Sequence, residues 1–368
     1  PEAQAAGALY VSAENAMFNN VFGGAQIIEV VVINGQDETD EEQGEPVVKV
    51  DENQLRMAQG VDGNWYGYFG DKTQVPLADE ASYLNFGTDS DPTISSGDWA
   101  EASNVYKNEA GSPQNVATNY PTLSAWNNTG TAEGEANASV GQIGIAQADW
   151  PVIQLYDFTI GMFDVVLEQA GADEVVTLDF NSADLDDYAS LTLDRSSASQ
   201  ESEIHLVITD NQLNIDPTAE DIVSFWVGGS SLTNGVSWMN RTTTWGDTDY
   251  IAYSNAFDDN GKLIINNATN GGASILANDA TLDDATADNY MIFYEGGENS
   301  GIFYNTDDND DASIVVADAA KRGFTATFDY NDSAQSFVVA NDFGTIDMEE
   351  ASVGDEWNSG EALTVTLI

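Results

Sequence analysis

The sequence predicts an all-β fold of tandem immunoglobulin-like β-sandwich domains, the first with a large insertion. Three observations predict it. Short stretches of alternating apolar and polar residues recur along the chain, separated by turns rich in Gly, Asn and Asp. Helical periodicity is confined to one short stretch, Val316 to Lys321. A strand, an acidic segment, a loop and a second strand follow one another in Val175 to Asp210 and again in Phe337 to Ile368, as in arrays of repeated modules. The chain has 368 residues, enough for two separate cores. The expected division is 1–209, with the insertion near 79–149, and 210–368.

The elements follow in order. Ala25 to Asn34 is a strong strand, and Gly35 to Gly44 is an acidic loop. Pro46 to Met57 and Asn64 to Phe69 read as strands joined around Gly60 to Gly63. From Asp79 to Asp149 the pattern weakens into Gly, Ser, Asn and Asp; a structureless loop of that length is unusual, so an insertion with its own short strands is expected. Val152 to Leu167 and Val175 to Phe180 resume the apolar pattern. Ile204 to Thr209 alternates in the same way and is read as the closing strand of the first sandwich. Asp210-Asn211 then breaks the ladder and Pro217 ends it, so Asp210 to Pro217 is read as the joint. Ile222 to Val227, Tyr250 to Tyr253, Leu263 to Ile265, Tyr290 to Tyr294, Gly301 to Tyr304, Ser313 to Val316, Phe324 to Tyr330 and Phe337 to Val339 are the strands of the second sandwich.

Charge narrows the partners. There are 9 Lys+Arg against 63 Asp+Glu, a formal net charge of −54. Such imbalance suits disorder, but 42% of residues are hydrophobic and 10% aromatic, in strand-like runs, which favours a folded protein with an acidic skin. No basic patch exists to neutralise phosphates, which excludes nucleic acid and disfavours anionic membranes. Cations are the natural partners. The absence of cysteine removes disulfides, thiolate metal sites and cysteine nucleophiles. No run of about eighteen apolar residues marks a transmembrane helix. The start at Pro1 follows no Met, so a processed N-terminus is expected.

Three stretches carry a family resemblance: Asn53 to Tyr68 (N-Q-L-R-M-A-Q-G-V-D-G-N-W-Y-G-Y), Ile208 to Pro217 (I-T-D-N-Q-L-N-I-D-P) and Ser359 to Ile368 (S-G-E-A-L-T-V-T-L-I). Glu298 to Phe303 adds to them. In these the chain resembles the surface-layer proteins of ammonia-oxidising archaea. The resemblance implies secretion, a string of immunoglobulin-like domains, self-assembly into a two-dimensional lattice and glycosylation. It also implies that this chain is the N-terminal portion of a longer protein. Five N-x-Ser/Thr sequons, at Asn127, Asn137, Asn240, Asn267 and Asn331, are the candidate glycan acceptors, although a chain rich in Asn, Ser and Thr produces such triplets by chance as well.

Cation sites are the sharpest residue-level expectation. Ca²⁺ takes about six to eight oxygen ligands. Asp210, Asn214 and Asp216 offer three side chains at the joint, with Asp184, Asp186 and Asp187 able to approach from the preceding loop. The same residues read equally as a solvated turn with an Asx cap. Asp307, Asp308, Asp310 and Asp311 form a second cluster, which lacks the EF-hand's Gly at position six and Glu at position twelve. Ca²⁺ or another divalent cation is the cofactor these clusters would take. An enzyme is the weaker class. The one histidine, His205, lies in a strand, and no carboxylate pair stands out among the acids. Trp65, Tyr66, Tyr68, Trp226, Trp238 and Trp245 offer a sugar platform or, more commonly, core aromatics. The expected function is a cell-envelope coat that enriches cations such as ammonium and excludes anions. The alternative is a secreted halophilic adhesin or carbohydrate-binding protein.

Overall fold

The computed structural model describes residues 8–33, 45–51, 53–60, 62–75, 153–226, 235–238, 262–267, 275–278, 290–306, 311–340, 346–350 and 363–367. The whole insertion expected near 79–149 and the strand expected at Tyr250 to Tyr253 lie outside these residues.

Among the described residues the first sandwich holds ten strands: β1 (Leu9–Val11), β2 (Val21–Phe22), β3 (Ile28–Val32), β4 (Val48–Val50), β5 (Asn53–Leu55), β6 (Ala58–Gln59), β7 (Trp65–Asp71), β8 (Ile153–Tyr156), β9 (Gly161–Leu167) and β10 (Glu174–Phe180). One sheet runs β1-β3-β7-β6, with β8 parallel to the far end of β7; the other runs β2-β10-β9-β4-β5. Alternation places Ile28, Val30 and Val32 of β3 in the core and turns Glu29 and Val31 outward. Phe22, Phe69, Phe158, Phe163 and Phe180 pack edge-on, tilted and stacked at one end of this core.

The order is that of an immunoglobulin-like sandwich, with the first edge strand shared between the two sheets. β1 pairs antiparallel with β3, then the chain crosses over and β2 pairs parallel with β10. The crossing is made by a 3₁₀ turn, Ala16–Phe18, followed by Asn19 and Asn20 in the left-handed region, which asparagine tolerates better than most residues. A second crossing carries β5 of one sheet into β6 of the other through Arg56 and Met57, both fully buried. There Gln154 behaves like a neighbouring strand: its Oε1 accepts from Arg56 N at 2.8 Å and its Nε2 donates to Arg56 O at 2.7 Å. The Arg56 guanidinium donates Nε to Glu45 at 2.9 Å, and Glu45 also accepts from Met57 N.

A short helical turn, α1 (Ser182–Leu185), leads into the second sandwich. Its strands are β11 (Ser190–Leu193), β12 (Ser197–Ala198), β13 (Leu206–Thr209), β14 (Ile222–Trp226), β15 (Gly235–Trp238), β16 (Lys262–Asn267), β17 (Leu276–Asn278), β18 (Tyr290–Glu295), β19 (Ile302–Tyr304), β20 (Ile314–Val316), β21 (Thr325–Tyr330) and β22 (Gln335–Val339). One sheet runs β11-β13-β19-β18-β14 and its partner β12-β22-β21-β16-β15, while β17 and β20 form a two-stranded pair. The edge is shared as before: β11 pairs antiparallel with β13, and β12 parallel with β22. Phe225, Phe293 and Phe303 from one sheet meet Phe328, Tyr330 and Phe337 from the other. The chain is therefore all-β, with immunoglobulin-like sandwiches in tandem.

Two expectations are corrected. The boundary at 209/210 separates strands that belong together. β13 does not close the first sandwich; it pairs with β11 and β19 in the second, so the chain passes between sandwiches at residues 181–189. Alternation records which face of a strand is buried, not which strand lies beside it. The helical stretch expected at Val316 to Lys321 is the end of β20 followed by a turn.

The repeat read in the sequence corresponds to a pairing pattern. β10 and β22 end the two sandwiches, and each is followed by an antiparallel pair; the acidic segment Asp184 to Tyr188 lies ahead of its pair, whereas Asp347 to Glu350 lies within its own. After β10 this pair is β11–β13; after β22 it is β23 (Ile346–Glu350) with β24 (Leu363–Leu367). The innermost partners are thirteen positions apart in both, Leu193 with Leu206 and Glu350 with Leu363.

Candidate functional site

The two sandwiches meet in a joint built from residues 12–29 of the first, the connection 181–189, the turn 210–216 and the loop 295–301. Backbone and amide bonds cross it. Ile27 N donates to Ile215 O at 2.9 Å, Gln26 Nε2 to Asn214 O at 3.3 Å and Asn299 Nδ2 to Ser12 O at 3.0 Å. Gly24 N donates to Ser182 Oγ at 3.1 Å. Phe18 is fully buried at the centre, edge-on to Tyr188 at 6.3 Å. Gly301 lies directly over it: a Cβ there would sit 2.9 Å from the Phe18 ring, and its φ of +63° favours glycine.

The turn and loop of the joint are shaped by acidic side chains acting as internal caps. Asp210 caps the 3₁₀ turn Asn211–Leu213: its Oδ1 accepts from Gln212 N at 2.8 Å and its Oδ2 from the Tyr330 hydroxyl at 2.5 Å. Asp216 Oδ1 accepts from Thr218 N and Oγ1, and Asp221 Oδ2 from Ile215 N and Asp216 N. Glu295 shapes the 295–301 loop by accepting from Asp221 N, Ser300 N and Gly301 N. Burial raises the Glu295 carboxyl to about 7 against the pull of those donors.

Above this lies the outward face of the sheet formed by β1, β3 and β7. Glu29 is the cross-strand partner of Tyr68, and Val31 is paired with both Tyr10 and Tyr66. Tyr68 is buried although it points away from the core of its own sandwich. Burial, with Asp216 and Glu298 nearby, raises the Glu29 carboxyl to about 7, while a hydrogen bond from Tyr68 opposes the rise. Burial raises the Tyr68 hydroxyl as well.

The expected metal ligands are placed as follows. Asp210, Asn214 and Asp216 are all buried at the joint, but Asp210 and Asp216 direct oxygens to separate protein donors, and Asn214 Nδ2 donates to Asn299. Asp184 and Asp187 are exposed on the connection and Asp186 is half-buried; only Leu185 among them packs inward. Among the described residues no three acidic or histidine side chains form a metal-ligand group. Asp307, Asp308 and Asp310 lie outside the described residues, and Asp311 is exposed beside the Thr306–Ala312 bridge.

Of the sequons, Asn127, Asn137 and Asn240 lie outside the described residues. Asn267 is corrected as an acceptor. It is fully buried in β16, accepts from Ile275 N and Leu276 N and donates to Leu276 O, which leaves no room for a glycan on the folded chain. Asn331 sits half-buried in the β21–β22 turn with φ of +47°, and its Nδ2 donates to Asp186 O. His205 lies near Glu203 and Asp194, all partly exposed. The sugar platform is corrected in part: Trp65 is in the core, Tyr68 is covered, and Tyr66 donates to Asp62 at 2.6 Å. The Trp245 position lies outside the described residues.

The sequence reading missed Glu29, Glu295 and the Arg56–Glu45 pair. One signal for Glu29 was present: Tyr10, Tyr66 and Tyr68 occupy outward positions on neighbouring strands, a row of aromatics of which Tyr68 is buried.

No family model matches this chain, and no curated protein matches it. Among solved structures it is similar to FdeC, described as a novel broadly conserved Escherichia coli adhesin. The two are 8% identical over 94% of this chain and 68% of that one, with a TM-score of 0.19. At that level the likeness carries no argument about function.

Proposed function

We propose that this chain is a structural subunit of an archaeal surface-layer lattice, not an enzyme. It is exported, assembles with copies of itself, and forms an acidic coat that enriches cations such as ammonium and repels anions. The observation that carries the reading is the joint: two like sandwiches are locked together through a backbone hydrogen bond, side-chain amide bonds and a buried phenylalanine, and a repeating coat needs subunits of fixed shape. A net charge of −54 supplies the field. Each tenfold cation enrichment corresponds to about 1.4 kcal/mol of favourable potential, which a narrow acidic channel supplies. Exposed charge is screened within about 8 Å at physiological salt, so the effect belongs to narrow pores. In this reading a divalent cation acts between carboxylates of neighbouring copies.

Electron microscopy of the purified protein in sea-salt buffer, with and without Ca²⁺, tests the reading. Sheets or tubes with a regular repeat that dissolve in chelator are expected. Sheets indifferent to chelator retain the lattice and remove the bridging cation. Single particles under every condition contradict the lattice and favour the adhesin alternative.

A further inference from the structure

We propose that the joint is a proton-linked hinge: ionisation of Glu29 sets carboxylates from three separate elements against one another and loosens the docked state. Hydrogen bonding alone places the groups together. Glu29 N donates to Ser12 Oγ, Ser12 O accepts from Asn299, and Asn299 follows Glu298 in the second sandwich's loop. Two residues before Glu29, Ile27 N donates to Ile215 O, and Asp216 follows Ile215. These bonds bring the segment of β3 that carries Glu29 against the joint turn that carries Asp216 and the loop that carries Glu298.

The titratable groups around Glu29 are Tyr68 and Tyr66 on β7, Tyr10 on β1, Asp216 and Glu298. Every one is an acid. The hydrogen bond from Tyr68 favours the ionised form and burial opposes it; a neutral Glu29 adds no charge, whereas an ionised Glu29 adds a third like charge to a half-buried face.

The sign follows from linkage. The Glu29 carboxyl is raised to about 7 when docked and returns to the ordinary carboxylate range, about 4.3, when the joint opens. Docking is therefore strongest below the lower value, weakens as pH rises between the two, and is constant above about 7. Within that window the opening equilibrium changes by at most about tenfold per pH unit. Glu29 keeps some contact with solvent, so the total change is smaller than the full shift implies.

Hydrogen exchange reads the opening directly, because Ile27 N–H is protected only while docked. Protection of the peptide spanning 24–30, corrected for intrinsic exchange, is compared with that of the β9–β10 core between pH 5 and 8. The wild type is expected to lose about tenfold or more of its joint protection between pH 5 and 7 and none above. Glu29→Gln, which mimics the protonated side chain, is expected to stay protected throughout. Glu298→Gln alters an exposed residue and is expected to move the midpoint to lower pH. Glu295→Gln is expected to leave the slope in place. A flat wild-type profile, a slope retained in Glu29→Gln, or a midpoint unmoved by Glu298→Gln overturns the proposal.

Discussion

Phe18→Ala tests whether the sandwiches are joined by packing or merely tethered. Phe18 comes from the first sandwich and is fully buried. Its neighbours are Tyr188 of the connection, Gly301 of the loop and, around Gly301, Asn211 of the turn. Truncation removes a buried ring and leaves a cavity among residues anchored by their own hydrogen bonds, so the site collapses poorly. Buried Phe→Ala changes cost about 3–5 kcal/mol. Each sandwich keeps its own core in this variant, since Phe18 lies outside both sets of inward-facing strand residues. The loss should therefore fall on the joint: joint amides exchange faster, while amides of the β3–β7 and β21–β22 ladders keep their protection. Urea denaturation gives the total and peptide-resolved hydrogen exchange gives its location. A loss below about 1 kcal/mol, or faster exchange spread evenly over both sandwiches, would refute the reasoning.

Two further outcomes are expected. Glu45→Ala leaves the fully buried Arg56 guanidinium without its carboxylate and should destabilise the first sandwich by about 3–5 kcal/mol in urea, whereas replacing both residues with leucine should cost much less. Glycopeptide mass spectrometry of native protein should find Asn267 unmodified, because its amide serves the 275–276 backbone.

The sandwich class was legible because its signal is local. The alternation in Ile28–Val32 and in Leu206–Thr209 appears as inward and outward faces in the structure. The phase of β16 was legible too: Leu263, Ile265 and Asn267 share the inward face, so the sequence held the reason Asn267 is buried. The division between sandwiches was not legible. It depends on the partner of β13, chosen by side chains far along the chain such as Phe303 of β19. The shared edge strands escaped notice because β2 and β12 are two residues each, shorter than any periodicity. Arg56 reads as a surface residue by type, and only the sheet crossing that buries it with Glu45 shows otherwise. The carboxylates at the joint stood out as acidic, but their roles as caps for Gln212, Thr218 and Ser300 depend on backbone geometry.

The central claim is that two sandwiches form one stiff unit. The chain has no cysteine, so spin labels go only where cysteines are introduced. Met162→Cys in the first sandwich and Lys321→Cys in the second are both exposed positions. Pulsed electron resonance between labels at these sites, at pH 6, measures the spread of the joint. A single narrow distance distribution is predicted, broadened by Phe18→Ala. A broad distribution in the wild type would contradict the account, since tethered sandwiches cannot set the geometry of a coat.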